Sequence, residues 1–494
     1  MGSEWPKVKI DDIKGNSNGA IAIGPFGSRM KSDCYVEDGI PVIRGTNITG
    51  GPVFEGSFVY ITEKLASTLG PCNVYKNDLV FPHRGSIGEV GIIIDDKRYV
   101  ISSSLMKLTC DTNRVNPKFL YYFFRSYIGK YQLLKNASQV GTPGIGQPLT
   151  SLKGIELRLP PLTDQNTIDR ILSTLDDKIE LNRQMNSTLE SMAQAVFKSW
   201  FVDFDPVIDN ALAAGNPIPE PLKTRAEARK RLGDQRKPLP QEIQELFPSR
   251  FVFTEDMGWI PEGWEVKSIG EVLDLVYGKS LPTKKRIEGN VLVYGSGGIA
   301  GTHNEQLIDG PGIVVGRKGT VGSIYWVDDD FFPIDTVFYV RCKFEVPLFW
   351  VYQSLQLVDI KSLSADSAVP GVNRNSVYTR KIIIPSKQVL NEYESQIIPV
   401  NSKHLEIDRQ SLTLTSLRDT LLPKLISGQL RLPDSLIDKF TEQASSHDAE
   451  QIISEAISAN SPKPSLNRPL LNSLAGKNIR TSQENPWTGS LGRC

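Results

Sequence analysis

Two stretches of this chain place a cation on a turn cut by glycines. "FPHRGSIGEVGII" covers Phe81–Ile93 and "VGRKGTVGSIYWV" covers Val315–Val327; in each, an apolar run enters a basic turn and an apolar run leaves it. Arg84 and Ser86 in the first, and Arg317 and Lys318 in the second, have small neighbours that let the backbone come close to a nucleic-acid duplex. Arginine can grip a guanine edge with two parallel N–H groups, whereas lysine and backbone N–H groups more often hold phosphate. A phrase kept twice cannot easily read two different base sequences, so phosphate positioning is the favoured chemistry. The plain alternative is a tight hairpin with an incidental basic residue. Further candidates of the same kind are Arg29 and Lys31, Arg44 with Asn47, and Ser296. Gln147 and the pair Asn373-Arg374 join them because they follow Pro-Gly turns.

Bond-making chemistry is harder to find. "YGKS" (Tyr277–Ser280) mimics the end of a phosphate-binding loop, but Leu273 stands where its first glycine must be. There is no Asp-Pro-Pro-Tyr or Asn-Pro-Pro-Tyr, and no GxGxxG after a strand. The four histidines (His83, His303, His404, His447) have neither metal spacing nor an activating Ser or Cys motif. The five cysteines are scattered without a CxxC pair, which fits a reducing cytoplasm and argues against structural zinc. No apolar run approaches the ~18 residues of a membrane span, and the N-terminus lacks a signal-peptide core. The expectation is a cytoplasmic, non-catalytic chain with no metal or cofactor of its own.

Composition adds little. Hydrophobic residues make up 39% of the 494, enough for sizeable cores, and the formal net charge is zero. The balance is uneven: residues 1–160 carry 19 Lys+Arg against 14 Asp+Glu, and residues 161–260 carry 12 against 16. A bias this mild neither requires nor excludes a nucleic-acid partner.

What positions the candidate turns is a large internal repeat. "GIPVIRGTNI" (Gly39–Ile48) resembles "GNVLVYGSGGI" (Gly289–Ile299), and "KIELNRQ" (Lys178–Gln184) resembles "HLEIDRQ" (His404–Gln410). The Pro-Gly segments around Pro143 and Pro370 match likewise. Each copy opens on a Trp-Pro or Pro-Glu-Gly-Trp signal and runs through short β-like segments separated by Gly, Asn and Pro turns. An aromatic helix and a final apolar strand follow in each, and then a long helix.

Those long helices carry the strongest local signal. In the second copy Leu390, Tyr393, Ile397, Val400, His404, Ile407, Ser411, Leu414, Leu417 and Leu421 step by threes and fours, the period of a coiled-coil seam. In the first, Ile168, Leu172, Leu175, Ile179, Asn182, Met185, Leu189, Met192 and Val196 keep nearly the same spacing. Polar Asn182 and His404 are placed to fix register. Pro399 predicts a kink or a late start, and Thr163-Asp164 and Gly428 are the expected caps. Helices of roughly 35 residues would be about 50 Å long, and copies related by sequence close naturally as an antiparallel pair. Between the copies, "LKTRAEARKRL" predicts a short surface helix whose basic run is solvated, and from about Ser435 the chain reads as a polar, weakly ordered tail with one helix near "HDAEQIISEAI".

With these pieces in place the chain resembles the specificity subunit of type I restriction–modification enzymes. The phrases that carry the resemblance are "GPFGSRMKSDCYVEDGIPVIRGTNI", "RGSIGEVGI", "LPPLTDQNTIDRILSTLDDKIELNRQMNSTLESMAQAVFKSWFVDFDPV", "GWIPEGWEV" and "LRDTLLPKLISGQL", over about residues 1–434. It implies an α+β chain of two tandem β-rich target-recognition domains, 1–162 and 259–387, separated by two long helices, 163–202 and 388–428. The helices are expected to pack as an antiparallel coiled coil with pseudo-two-fold symmetry, joined by a connector at 203–258 and followed by a tail at 429–494. Each domain would read half of a split site on double-stranded DNA, with the helices as ruler and as docking surface for two methyltransferase subunits. Restriction/translocase subunits would complete the assembly, and S-adenosylmethionine, ATP and magnesium would bind those partners. A DNA-binding regulator or scaffold without modification partners is the alternative, and a self-sufficient methyltransferase or nuclease a more remote one.

Overall fold

A computed structural model describes residues 5–138, 143–233, 238–363 and 371–431. Most of the expected tail, including its helix near "HDAEQIISEAI", lies outside the described residues. The described residues divide into two compact units, 5–185 with 406–431 and 186–405, so each unit takes part of both long helices.

In unit one the apolar runs form a four-stranded antiparallel sheet from β1 (Ile21–Ile23), β2 (Leu79–Pro82), β3 (Gly91–Ile92) and β4 (Leu105–Leu108), in the order β1-β4-β2-β3. All of β2 and β4 is buried, as expected for strands covered on both faces. A second sheet of five strands contains one parallel pair, Ile40–Ile43 beside Tyr99–Ile101. Lys7–Lys9 and Glu156–Arg158 pair antiparallel and bring the two ends of the domain together. The aromatic segment is two helices rather than one, Pro117–Arg125 and Tyr127–Leu134. Ser126 is extended and its side chain accepts from the Gly129 backbone N–H, which caps the second helix.

Unit two repeats this plan. β5 (Leu273–Tyr277), β6 (Gly312–Gly316), β7 (Ile324–Val327) and β8 (Val337–Cys342) have the order β5-β8-β6-β7. A second sheet again holds one parallel pair, Val291–Gly295 beside Phe331–Pro333, and Glu265–Ser268 pairs with Lys381–Ile384 as the closing ribbon. Two stretches with modest sequence likeness therefore share a four-stranded sheet of one strand order and a closing ribbon, while the second sheet has five strands in unit one and three in unit two.

The long helices are α1 (Leu162–Phe197), whose last turn widens into a π-helix at Lys198–Val202, and α2 (Lys387–Ile426). They pair lengthwise and antiparallel. In unit one Asp176 meets Arg418, and Asn182 donates from Nδ2 to Gln410 Oε1 at 2.9 Å and to Ser411 Oγ at 3.1 Å. In unit two Phe197 and Phe201 press on Tyr393, with ring centroids 6.1 and 5.0 Å apart. Asn182 is buried in the seam and bonds across it, a polar pin of the kind that sets register.

Four expectations need correction. The seam of α1 runs through Asn186 and Ala193, which are buried, while Met185 and Met192 are 39% and 53% exposed. Steps of four and three from Ile168 to Asn182 require Asn186 next, so helical phase prevails over side-chain type. α1 begins at Leu162, which puts Thr163 and Asp164 inside its first turn, where Asp164 still faces the positive end of the helix dipole. α2 runs unbroken through Pro399, because Pro399 and Ser395, whose carbonyl loses its helical donor, are both exposed to water. The basic run of the connector helix Lys223–Leu232 is not simply solvated. Arg225 pairs with Asp205 at 2.7 Å and Arg229 with Asp209 at 2.5 Å, which ties this helix to an unexpected one at Asp205–Ala213.

The domain of unit one is joined to both long helices by a single buried carboxylate. Asp176, 3% exposed, accepts from Tyr122 Oη at 3.0 Å, Arg125 Nη1 at 3.0 Å and Arg418 Nη1 at 2.8 Å. Unit two uses rings instead, with Trp200, Phe201, Phe247, Trp264, Trp350 and Tyr393 packed mainly edge to face. Removing one partner of a buried ion pair costs about 3–5 kcal/mol. Asp176→Ala should therefore destabilise unit one by about that much. Arg183→Ala, which breaks only an exposed pair with Glu180, should cost under about 1 kcal/mol. Chemical denaturation of both variants checks the ranking.

Candidate nucleic-acid interface

The repeated phrase folds into the same turn in both units. Gly85 and Gly88 have φ of 80° and 92°, and Gly319 and Gly322 have 81° and 75°, so both turns need left-handed backbone at the same two places. Ile87 N donates to Gly85 O at 2.8 Å, as Val321 N does to Gly319 O at 2.9 Å. Main-chain bonds also hold the entry. His83 N donates to Ser104 O and receives Ile145 N on its own carbonyl; Arg317 N donates to Thr336 O and receives Val372 N in the same way. Arg84 bridges Gly144, and Lys318 bridges Gly371. The turn and the Pro-Gly segment are thus neighbours in each unit, and the cation at each tip (Arg84, Lys318) is exposed.

Unit two gathers its candidates around this turn. Ser296 donates its N–H to Thr336 Oγ1 at 3.3 Å, and its carbonyl accepts from Ser323 Oγ at 2.7 Å and Tyr325 Oη at 3.1 Å. It therefore braces the turn from beside it. Arg317 donates from Nε and Nη2 to Asp335 O at 3.2 and 2.7 Å. Its guanidinium lies 5.1 Å from the Tyr277 ring centre, and that of Arg374 lies 5.3 Å from the same centre. Asn373 caps the short helix Arg374–Tyr378, accepting from Asn375 N at 3.0 Å, so its side chain is partly engaged in holding the helix.

Unit one is less cationic at the matching places. His83 occupies the place of Arg317; its Nε2 meets Ser103 O at 3.0 Å, and burial holds its imidazole below the usual value, which favours the uncharged ring. Ser86 is exposed at the tip. Gln147 is exposed with φ 48° just before the helix Pro148–Lys153. Arg29 donates to Thr68 O at 3.1 Å and remains exposed, as does Lys31. Arg44 is half buried and donates from Nη2 to Ser57 O at 2.7 Å. Asn47 must leave the set. It is 1% exposed, its Oδ1 accepts from Arg44 N, and its Nδ2 donates to Glu55 O, so it braces its own loop and has no surface to offer a base.

The family described as the type I restriction modification DNA specificity domain matches residues 3–191 and 261–398, together more than half of the chain. The chain belongs to that family. The specificity subunit of the type I restriction enzyme HindI from Haemophilus influenzae is 28% identical over 384 residues, covering 68% of this chain and 82% of the relative. That of MjaIX from Methanocaldococcus jannaschii is 25% identical over 444 residues, covering 87% and 94%. A crystal structure of the type I restriction–modification S subunit from M. genitalium is similar in fold, with a TM-score of 0.52 at 18% identity, covering 85% of this chain and 96% of that one.

As a type I specificity subunit, the chain carries one family segment over each repeat. Among the described residues no group of three or more His, Cys, Asp or Glu is placed to hold a metal, and no helix is long and apolar enough to cross a membrane. Tyr277 is the site residue that sequence reasoning missed, since it was legible only as the first letter of a false phosphate loop. The glycines give a test of the turn. An added Cβ costs about 1–2 kcal/mol at either left-handed position. At Gly319 it would meet only the Ser296 hydroxyl, which can rotate, whereas at Gly322 it would lie 2.8 Å from the Lys361 backbone nitrogen. Gly322→Ala should therefore lower the stability of unit two by at least about 2 kcal/mol more than Gly319→Ala, as read from thermal or denaturant unfolding.

Proposed function

We propose that this specificity subunit recognises a bipartite site on double-stranded DNA, one half through each repeat, within a complex that methylates adenine and cuts unmodified DNA. The observation that carries the reading is one strand order with one glycine turn occurring twice, with different side chains around it: Arg84, Ser86 and Gln147 in one copy, Arg317, Lys318 and Arg374 in the other. Identical backbones suit the phosphates common to any duplex, and side chains that differ between the copies let each copy seat its own half of the site, by phosphate or by base contacts. In this reading the target-recognition domains span 1–162 and 259–387, the helical regions 163–202 and 388–428, the connector 203–258 and the tail 429–494.

The partners in this reading are two methyltransferase subunits and the restriction/translocase subunits, which carry S-adenosylmethionine, ATP and magnesium. Docking is supported by apolar side chains that α1 leaves in water: Leu181, Met185 and Met192, at 47%, 39% and 53% exposure. Their spacing of four and seven residues puts them on one side of the helix. Met185→Glu should abolish co-purification of the methyltransferase while leaving the melting temperature within a few degrees of the unsubstituted chain, because Met185 lies outside the buried seam.

The central experiment is single-molecule sequencing of methylated adenines in cells with and without the gene. A two-part motif with a fixed spacer should disappear with the gene. Replacing residues 259–387 by the matching segment of a relative should change one half of that motif and spare the other. If the methylated positions are the same with and without the gene, the reading is wrong.

A further inference from the structure

Arg317 and Arg374 come from segments 57 residues apart and converge on one ring, Tyr277. Tyr277 is 50% exposed, so this stack reaches the surface. The polar contacts of both guanidiniums inside the protein are with carbonyl oxygens: Asp335 O for Arg317 and Leu275 O, at 3.4 Å, for Arg374. Asp335 gives its backbone oxygen here, and among the described residues neither guanidinium has a carboxylate within ion-pair distance. The Lys318 and Lys279 side chains are exposed on the same rim, their backbone N–H groups held by Thr336 O and Pro333 O of the loop that also carries Asp335.

Two guanidiniums brought to one aromatic ring repel each other, and aromatic faces and carbonyl dipoles offset only part of that cost. Bringing them together with no acid beside them among the described residues leaves positive charge that an external anion would complete. Among the described residues nothing accepts from Arg317 Nη1 or from Arg374 Nε and Nη2, and these lie in planar forks that match the paired oxygens of a phosphodiester. An uncharged guanine edge would satisfy one fork and leave the repulsion in place.

Unit one lacks this arrangement. Through the matching hydrogen bonds Gly24 N to Leu105 O and Gly278 N to Val337 O, Ile23 holds the place of Tyr277, as His83 holds that of Arg317. We infer that Arg317, Arg374 and Tyr277 form a phosphodiester seat particular to the second target-recognition domain, which anchors the DNA backbone beside that half-site without reading its bases. Tyr277 and the Asp335 carbonyl act as positioning groups that hold the forks. This rests on the DNA-recognition reading above and deepens it.

The test uses the full-length chain purified with its methyltransferase partner and a duplex bearing the methylated motif, with binding measured across a series of salt concentrations. Arg374→Gln should weaken binding by about five- to tenfold at low salt and make the dependence of log affinity on log salt shallower by about one unit. The penalty should be the same for every base substituted in the second half-site. Arg374→Lys should keep the salt slope, and Tyr277→Leu, which removes the shared ring, should act like Arg374→Gln; an unchanged melting temperature verifies that each variant is folded. Unaltered affinity and slope in folded Arg374→Gln would overturn the seat. So would a variant that methylates a new sequence, since that marks a base reader. If the unsubstituted complex binds no duplex in preference to any other, the specificity reading itself fails and the seat with it.

Discussion

A carboxylate taken out of water must be matched, and Asp176 is matched three times, by Tyr122, Arg125 and Arg418. These partners come from the domain helix Pro117–Arg125 and from α2, so one buried anion fixes three elements of unit one at once. Burying a charge is costly, and replacement by packed apolar groups is often neutral or better. What the ion network adds is geometry, because a fork and a hydroxyl accept only a narrow range of approach. Unit two relies chiefly on rings packed around Tyr393, with the Asp328 carboxylate also bonded to Asn401 of α2. The burial of Tyr393 pushes its phenol far above the usual value, as expected for a ring inside an apolar cluster.

Within that frame the candidate interface follows from backbone rather than from side chains. Two left-handed glycines and a ladder of main-chain bonds define each turn, and the Pro-Gly segment is bonded to it in both units. Rigid elements beneath a variable rim are what a reader of different sequences requires, since the support can stay while the contacts change. The surroundings of the turn do differ: a buried histidine in one unit and a stacked arginine in the other stand on equivalent hydrogen bonds.

Much of this was legible in the sequence because it was written twice. Repetition exposed the tandem domains, and the three-and-four step of apolar residues exposed both long helices and the seam of α2. The seam of α1 was misjudged where Met185 offered an apolar side chain one residue before the phase required Asn186. Ser126 split a helix that aromatic residues made look continuous, and the helix Asp205–Ala213 was hidden because its acids pair with Arg225 and Arg229, some 20 residues further along the chain. The interface was harder still. Asn47 has the side chain of a base reader and is buried bracing a loop, while Tyr277 has no motif and has two arginines against its ring. Contacts between residues far apart in the chain decide both cases, and local pattern does not contain them.

The hydrogen bonds that shape each turn join main-chain atoms, which relieves the side chains at its tip of structural duty. Arg84, Ser86 and Lys318 can therefore drift under mutation without unfolding what carries them, whereas Gly88 and Gly322 cannot. A lineage exploring such a surface would change its target preference in small viable steps, with each intermediate still a folded protein.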